Sequence, residues 1–201
     1  MNHTIGTHPE DKELINRILR GDTRAFGIVI KNTEALVAQI VVKMIPVAED
    51  RKDIVQDIYL KTFHSLSGFK FQSKLSTWIA RITYNTCLSW IEKKKLVLRG
   101  NLHEEDEYPA QMETSNNYFA KSSEFESGLF RKELSGILQR EINSLPLVYQ
   151  TLIILFHQES MSYEELMQIT GLPEGTIKSS LFRARKMLKE NLLSKYKKEA
   201  L

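Results

Sequence analysis

Apolar residues recur at helical spacing along most of the chain, whereas no segment alternates convincingly with the period of a strand. The first helix is predicted over residues 10–20, ending at Gly21. Asp22 can cap a longer helix that runs through Lys43, and Pro46 marks a break after it. Further helices are predicted over about 50–64 and 75–95. The pattern therefore predicts an all-α protein.

A helix, a tight turn and a second helix are predicted within residues 162–188, which read SYEELMQITGLPEGTIKSSLFRARKML. Ser162 and Glu165 have the spacing of a capping box at a helix start. Gly171 suits the positive φ needed at a helix C-terminus, and Pro173 can open the next helix. A helix-turn-helix of this kind is typical of proteins that read duplex DNA.

The second helix of this motif has an apolar face and a basic face. Ile177, Leu181, Ala184 and Leu188 share the side that is predicted to pack inward. Phe182 falls on the outer side and is interpreted as a contact residue; the polar outer positions are Lys178, Ser179, Arg183, Arg185, Lys186 and Lys189. Residues 173–198 contain eight basic and two acidic residues, which favours salt-dependent binding to phosphates. A merely solvated helix face is the simpler alternative.

The predicted third helix carries a compact polar patch. Asp53, Gln56, Asp57, Leu60 and His64 fall on one side, and the opposite, inward side is predicted to hold Val55, Ile58, Tyr59, Thr62 and Phe63. The patch is either a solvated face or a docking site, and the residues alone leave both interpretations open.

Basic and aromatic residues are interleaved between residues 66 and 99, where seven basic residues accompany one acidic residue, Glu92. Such a mixture suits single-stranded or melted nucleic acid, because unpaired bases can stack on rings and expose their edges. The candidates are the loop residues Lys70, Phe71, Gln72 and Lys74 together with Arg81 and Asn85 on the following helix, whose predicted inward stripe is Leu75, Ile79, Ile82, Thr86 and Trp90. In the alternative, Trp78 and Trp90 are core residues and residues 93–95 form a solvated helix end. We favour the core for both tryptophans.

The composition changes sharply over residues 101–128, which contain seven acidic residues and a single basic one, Lys121. This segment predicts a flexible acidic linker over residues 98–129. Two small helical domains, residues 9–97 and 130–193, are predicted on either side of it. In the second domain, Ser144 is predicted to cap a helix that carries Pro146 in its first turn.

The charge, the cysteine content and the lack of a signal peptide limit which kinds of protein this chain can be. The net charge of the 201-residue chain is only +3, so its basic character is local. The single cysteine, Cys87, excludes an internal disulfide and is interpreted as a small buried apolar residue. The amino terminus lacks the apolar core of a signal peptide, and no apolar run is judged long enough to cross a bilayer, so a cytoplasmic location is expected.

Enzymatic chemistry is not predicted. The histidines lack the spacing of metal ligands, no glycine-rich phosphate loop is present, and no nucleophile stands beside a base in sequence. We therefore expect no catalytic residue, no metal and no cofactor. The histidines are His3, His8, His64, His103 and His157.

Two motif blocks carry a resemblance to a known family. The first reads DIVQDIYLKTFHSLSGF and STWIARITYNTCLSWIEKK; the second reads SLPLVYQTLIILF and MSYEELMQITGLPEGTIKSSLFRARKML. Together they resemble the extracytoplasmic-function (ECF) group of bacterial RNA polymerase sigma factors, in the sigma-70 family. The resemblance places sigma region 2 in residues 9–97 and sigma region 4 in residues 130–193. The chain departs from the family's usual alanine at Met167 and at Arg51.

The resemblance implies three contact surfaces. The polymerase's largest subunit would hold, through its coiled coil, the helix with Asp53, Gln56, Asp57 and Leu60. The promoter's minus-10 element would be opened at Lys70, Phe71, Lys74, Arg81 and Asn85. The minus-35 element would be read in its major groove by Lys178, Ser179, Phe182 and Arg183. The polymerase flap would hold region 4 from its other side, and an anti-sigma factor is a further partner that many members of the family have.

Two functions from different classes follow. One is a specificity subunit that binds core RNA polymerase, directs it to promoters and promotes their melting. The alternative is a self-sufficient helix-turn-helix regulator whose N-terminal helices bind a partner or an effector. They differ in one observable property: a sigma factor gives promoter-specific transcripts only with core polymerase, whereas a regulator shifts its operator alone.

Overall fold

The structure, a computed structural model, describes residues 9–101 and 127–196, with side chains described for residues 10–94 and 134–195. These ranges are helical apart from short connections and contain no strand, which confirms the predicted all-α class. The helices in chain order are α1 Pro9–Leu19, α2 Thr23–Met44, α3 Ala48–Ser65, α4 Leu75–Asn101, α5 Ser127–Asn143, α6 Leu147–Ile153, α7 Tyr163–Thr170 and α8 Glu174–Tyr196.

The start of α2 follows the local chemistry that the sequence predicts. Gly21 adopts φ 96°, which turns the chain sharply after α1. Asp22 then caps α2 by accepting a hydrogen bond from the Ala25 amide at 3.1 Å. Arg17 donates to the same carboxylate at 2.8 Å and is the main reason that the pKa of Asp22 lies below its usual value.

The α2 helix is the central element of the N-terminal half, α1 to α4. It contacts α1, α3 and α4, and it also reaches α6 in the C-terminal half, α5 to α8. By length and composition alone it could cross a membrane, so the expectation that no apolar run is long enough is wrong. Its apolar side chains instead pack against protein on several sides, because the helix has several neighbours. The buried residues are Ala25, Val29, Thr33, Leu36, Val37, Ile40, Val41 and Met44.

Arg51 has a structural role that its sequence position does not suggest. Its Nε donates to the Ile45 carbonyl at 2.8 Å, and its Nη2 donates to the Pro46 carbonyl at 3.2 Å. These carbonyls lie where α2 ends and therefore have no helical partners. Arg51 thus provides hydrogen-bond donors for the unpaired carbonyls at the end of α2, at a position where the family resemblance implies an alanine.

The boundaries of the predicted linker differ from those in the structure. The α4 helix continues to Asn101, beyond the predicted end at residue 95, and α5 begins at Ser127. Both ends of the 98–129 segment are therefore helical. The acidic stretch over residues 102–126 lies outside the described residues, so its flexibility stays a prediction.

The start of α6 corrects one sequence prediction. Ser144 does not cap this helix: its hydroxyl donates to the Glu141 carbonyl at 2.8 Å, at the end of α5. Pro146 occupies the N-cap position of α6 and supplies no side-chain hydrogen bond. Gln150 stabilises the turn instead, because its amide donates to the carbonyls of Asn143 and Leu145. The last turn of the apolar run, Ile154–Gln158, is π-helical.

The helix-turn-helix has the caps that the sequence predicts. The Ser162 hydroxyl accepts from the Glu165 amide at 3.2 Å, and the Glu165 carboxylate accepts from the Ser162 amide at 2.9 Å. Gly171 ends α7 with φ 71°. In α8 the predicted inward positions Ile177, Leu181, Ala184 and Leu188 are all buried. Local sequence therefore determines both helices of the motif and the turn between them.

Replacing Gly171 tests how much the turn depends on the positive φ of this residue. An added Cβ would meet no atom within 4 Å, so Gly171→Ala acts through backbone strain alone. We expect it to lower the free energy of unfolding by about 1 kcal/mol or more in urea titrations. Gly27→Ala is the control, because Gly27 lies within α2 with equally open space and ordinary helical φ. That variant should gain about 0.5 to 1 kcal/mol, and equal changes in the two variants would contradict the strain explanation.

Candidate nucleic-acid interface

The outer face of α8 presents the four predicted minus-35 residues to solvent. Lys178, Ser179, Phe182 and Arg183 are all exposed, and Phe182 retains 68% of its accessible surface. The opposite side of the helix is held in the core by the buried stripe. A rigid helix with a polar, basic and partly aromatic outer face has the shape and chemistry that major-groove readers use.

Lys178, one of the four predicted minus-35 residues, already has partners within the protein. Lys178 forms an ion pair with Glu174 at 2.6 Å and lies 5.3 Å from the centre of the Tyr163 ring. The Glu174 hydrogen bond is the main cause of the raised pKa of Lys178. Since this pair is fully exposed, a phosphate can replace Glu174 at little cost.

Arg185 is held more specifically, although it too belongs to the predicted basic face. Its Nε donates to His157 Nε2 at 3.2 Å, and its guanidinium lies 5.5 Å from the centre of the Phe156 ring. Partial burial and the positive charge of Arg185 both lower the pKa of His157. Arg185 therefore joins α8 to the π-helical turn, a contact that the sequence spacing did not reveal.

Two of the five minus-10 candidates line an open cleft of about 250 Å³ beside the start of α4. Lys70 and Arg81 line it and are exposed, so both are available to an anionic ligand. Asn85 is exposed one helical turn beyond Arg81 and is not part of the lining. The lining consists of Gly68, Phe69, Lys70, Gln72, Ser73, Thr77, Trp78, Arg81 and Gln168.

Phe71 lies in an aromatic cluster next to this cleft. Its ring centre is 4.9 Å from that of Phe69, which in turn is 5.1 Å from Trp78. Phe71 adopts φ 55°, a left-handed conformation that is costly for a residue with a side chain. Strained backbone of this kind is often found where a ligand is bound. Phe69 and Trp78, which line the cleft, were not among the predicted contacts.

Both tryptophans are half-buried and pack against the core, as favoured from the sequence. The alternative interpretation makes residues 93–95 a solvated helix end, but Lys94 has two partners in the structure. Lys94 lies 4.4 Å from the centre of the Trp90 ring and forms a 2.7 Å ion pair with Asp50. Lys94 therefore ties α4 to the start of α3.

Lys74 is the minus-10 candidate whose position the sequence could not predict. Its Nζ lies 3.0 Å from Glu165 Oε1, on α7 of the helix-turn-helix. Thr77 donates to the same oxygen at 3.1 Å. Burial alone would raise the pKa of Glu165, but hydrogen bonds from the Ser162 amide, Lys74 and Thr77 outweigh it and leave that pKa lowered. A predicted minus-10 residue thus contacts the first helix of the helix-turn-helix.

The predicted polymerase-binding patch is exposed on α3. Asp53, Gln56 and Asp57 face solvent, and Leu60 retains 51% of its surface beside them. Asp57 also pairs with Lys61 at 2.7 Å, within the same helix. Ile58, Tyr59 and Thr62 are buried as predicted. The patch therefore combines carboxylates, an amide and one exposed aliphatic side chain.

Phe63 corrects the predicted inward face of α3. It was placed with the buried residues, yet 40% of its surface is exposed. Its ring packs edge-on against Phe26, with centres 5.0 Å apart. Because it packs on Phe26 of α2 yet remains partly exposed, Phe63 adds to the apolar part of the α3 surface.

Neither reactive chemistry nor a metal site is indicated in the part of the chain that the structure describes. No group of histidine, cysteine and carboxylate side chains there could hold a metal ion. Cys87 is fully buried, and burial raises the pKa of its thiol to about 12. It is therefore a core residue, as the sequence predicts, and not a nucleophile.

Comparisons with known proteins identify the family. Residues 29–97 match the model of sigma-70 region 2, and residues 135–188 match that of sigma-70 region 4. The ECF RNA polymerase sigma-E factor of Escherichia coli K12 is 32% identical over 181 residues, covering 89% of this chain and 92% of the relative. The RNA polymerase sigma-H factor of Pseudomonas aeruginosa is 28% identical over 189 residues, covering 92% and 95%.

The chain therefore belongs to the ECF sigma factors of the sigma-70 family, which serve promoter-specific transcription initiation by RNA polymerase. Members of this family are initiation factors and not enzymes. The resemblance seen in the sequence is thus confirmed.

Solved structures share the fold. RpoE of Bartonella quintana, in complex with the anti-sigma factor NepR, matches with a TM-score of 0.65 and 22% identity, covering 85% of this chain and 98% of RpoE. CnrH, in complex with the cytosolic domain of CnrY, matches with a TM-score of 0.59 and 20% identity, covering 92% and 98%.

Proposed function

We propose that this protein binds core RNA polymerase in the cytoplasm, directs it to promoters with particular minus-10 and minus-35 elements, and promotes their melting. The observation that carries the proposal is the exposed face of α8, whose Lys178, Ser179, Phe182 and Arg183 stand on a helix anchored by a fully buried stripe. A helix fixed in this way can enter a groove without losing side-chain contacts in the core.

Recognition of the minus-35 element rests on the different chemistry of these four side chains. Arg183 has a planar guanidinium that can donate two hydrogen bonds to a guanine edge. Phe182 offers an apolar surface for a thymine methyl group, and the hydroxyl of Ser179 can contact either a base or a phosphate. Lys178 adds charge, so it contributes affinity more than sequence discrimination.

Melting at the minus-10 element is assigned to the cleft beside α4. An unpaired base needs a stacking surface and hydrogen-bonding groups, together with nearby positive charge for its phosphate. The half-buried Trp78 supplies a ring at the cleft, with the buried Phe69 ring 5.1 Å from it; Gln72 supplies an amide, and Lys70 and Arg81 supply the charge. We place Phe71, Lys74 and Asn85 at the edge of the same surface.

Docking on the polymerase is assigned to the α3 patch. We expect Asp53→Ala combined with Gln56→Ala to weaken capture of core polymerase, because the variant loses a charge and an amide that face solvent. Affinity measured by fluorescence anisotropy should fall by about tenfold, while the circular dichroism spectrum and melting temperature stay unchanged.

The matched control for this prediction lies on α1. Glu13→Ala with Asn16→Ala removes an exposed acid and an exposed amide at the same spacing in the same half of the protein. This variant should bind core polymerase normally. If both double variants bind as the unmodified protein does, the α3 patch is only a solvated surface.

Reconstituted transcription tests the function as a whole. Run-off assays on promoters recovered by footprinting the holoenzyme should give discrete transcripts when this protein and core polymerase are both present. The protein without polymerase should give no stable mobility shift of the same duplexes. Stable binding of the duplexes by the protein alone, with no polymerase-dependent transcript, would support a self-sufficient regulator instead.

A further inference from the structure

The two halves of the molecule meet at a surface that the proposed promoter-reading residues help to form. The α7 helix of the helix-turn-helix packs against α4. Lys74, the residue before α4, and Thr77, in the first turn of α4, both bind Glu165 Oε1, at 3.0 and 3.1 Å. Gln168, one turn further along α7, forms a wall of the cleft that Lys70 and Arg81 line.

The Glu165 carboxylate and Thr77 are largely shielded from water at this surface, whereas 51% of the Lys74 side chain is exposed. Thr77 is only 1% exposed, and the Glu165 side chain is 18% exposed. The carboxylate divides its oxygens between two tasks, because Oε2 accepts from the Ser162 amide and Oε1 accepts from the other half of the molecule. A partly buried carboxylate with three donors loses hydrogen bonds when the halves separate, unless water or another cation replaces them.

A second polar contact joins the halves at the end of α2. Lys43 donates to Asn143 Oδ1 at 2.7 Å, and Gln139 donates to the same oxygen at 3.1 Å. Burial, and secondarily the charge of Arg51, lower the pKa of Lys43. Since α2 also contacts α6, the closed arrangement is held at two separate places.

This arrangement conflicts with simultaneous reading of two promoter elements. The α7 helix occupies the edge of the cleft, and Lys74, one of the proposed minus-10 contacts, is already paired with Glu165. Two elements on one duplex also lie too far apart for two small helical domains that touch each other. The halves must therefore separate before both elements can be engaged.

We propose that Glu165, with Lys74 and Thr77, forms an intramolecular latch that keeps the free protein closed, with Lys74 paired and α7 held against one edge of the minus-10 surface. The latch rests on the proposed function, since it regulates the same surface. Opening it removes Gln168 from the wall of the cleft and releases Lys74 for a phosphate. The apparent affinity for single-stranded minus-10 DNA is then reduced by the fraction of molecules that are closed.

Two variants remove contacts of the latch without disturbing the fold of the helix-turn-helix. Glu165→Gln removes the ion pair with Lys74 and retains a residue type that completes a capping box. Thr77→Val removes the other hydrogen bond at a residue that takes no part in the cap. The control is Asp50→Asn, which breaks the 2.7 Å ion pair with Lys94 inside the N-terminal half.

Opening is measured as a distance between labels on the two halves of the full chain. Asn32→Cys on α2 and Ser194→Cys on α8 are exposed positions for spin labels. The native Cys87 stays unlabelled because it is fully buried. Pulsed electron paramagnetic resonance should give a short, narrow distance distribution for the parent and a longer, broader one for Glu165→Gln and Thr77→Val. Asp50→Asn should match the parent.

Binding of single-stranded DNA is a second, independent test of the latch. A single-stranded oligonucleotide carrying the minus-10 sequence from the holoenzyme footprint should bind the two latch variants about three- to tenfold more tightly than the parent. Unchanged distances in both latch variants, or a parent that is already broadly open, would overturn the latch while polymerase-dependent transcription still upheld the proposed function. Loss of that transcription in the parent would overturn the function instead, whatever the label distances show.

Discussion

Leu181→Ala should lower the free energy of unfolding by about 2 to 5 kcal/mol, the range for a leucine removed from a close-packed core. Leu181 is fully buried at the centre of the inward stripe of α8, and this helix contacts α5, α6 and α7. The loss combines unfavourable transfer of the side chain with the cavity left behind. Guanidinium titration followed by circular dichroism measures it directly.

The neighbouring residue provides the control. Phe182→Ala removes a larger side chain from the same helix, but Phe182 is largely exposed. Its effect on the unfolding free energy should stay within about 0.5 kcal/mol, while binding of the holoenzyme to minus-35 duplexes weakens. A destabilisation by Phe182→Ala as large as that by Leu181→Ala would show that the ring is a packing residue, and would remove it from the proposed DNA interface.

Arg183→Ala should cost about 1 to 3 kcal/mol of discrimination between the preferred minus-35 element and a single-base variant. Arg183 is exposed beside Phe182 and Ser179, and it forms no ion pair within the described residues, so its guanidinium is available to a base edge. Competitive run-off transcription by the reconstituted holoenzyme, with both promoters in one tube, measures the preference.

Arg183→Lys distinguishes base recognition from simple charge. Lysine retains the positive charge but lacks the planar pair of donors that fits a guanine. The lysine variant should therefore keep most of the nonspecific affinity and its salt dependence while losing much of the discrimination. If the alanine variant transcribes both promoters in the original ratio, Arg183 does not read a base.

Much of the local structure could be predicted because short-range chemistry decides it. Asp22, Ser162 and Gly171 mark helix ends through hydrogen bonds and backbone angles that involve residues only a few positions away. The inward face of α8 follows from helical periodicity alone. In α4 the predicted Ile82 and Trp90 are only partly buried, and Ala80, Thr83 and Tyr84 are buried as well. Ser144 misled the prediction because a serine hydroxyl can either accept from an amide at a helix start or donate to a carbonyl at a helix end, and here it donates to the end of α5.

The candidate site was predictable in part. Exposure of the four α8 residues and of the α3 patch follows from their position opposite a buried stripe. Phe69 and Trp78 were missed as lining residues, since aromatic residues near a core are more often packing residues. Phe71, which packs against Phe69, adopts its left-handed conformation without being a glycine, so the sequence does not signal this turn.

The amino-acid sequence by itself determined the helical class, the caps of α2 and α7, the buried stripe of α8 and, through two motif blocks, the family. The tertiary structure alone decided which distant side chains meet: Arg185 with His157, Lys43 with Asn143, and Lys74 and Thr77 with Glu165. Helix periodicity and capping act within a few residues of the chain. Contacts between residues 28 to 100 positions apart depend instead on how whole helices pack, and no local pattern encodes that packing.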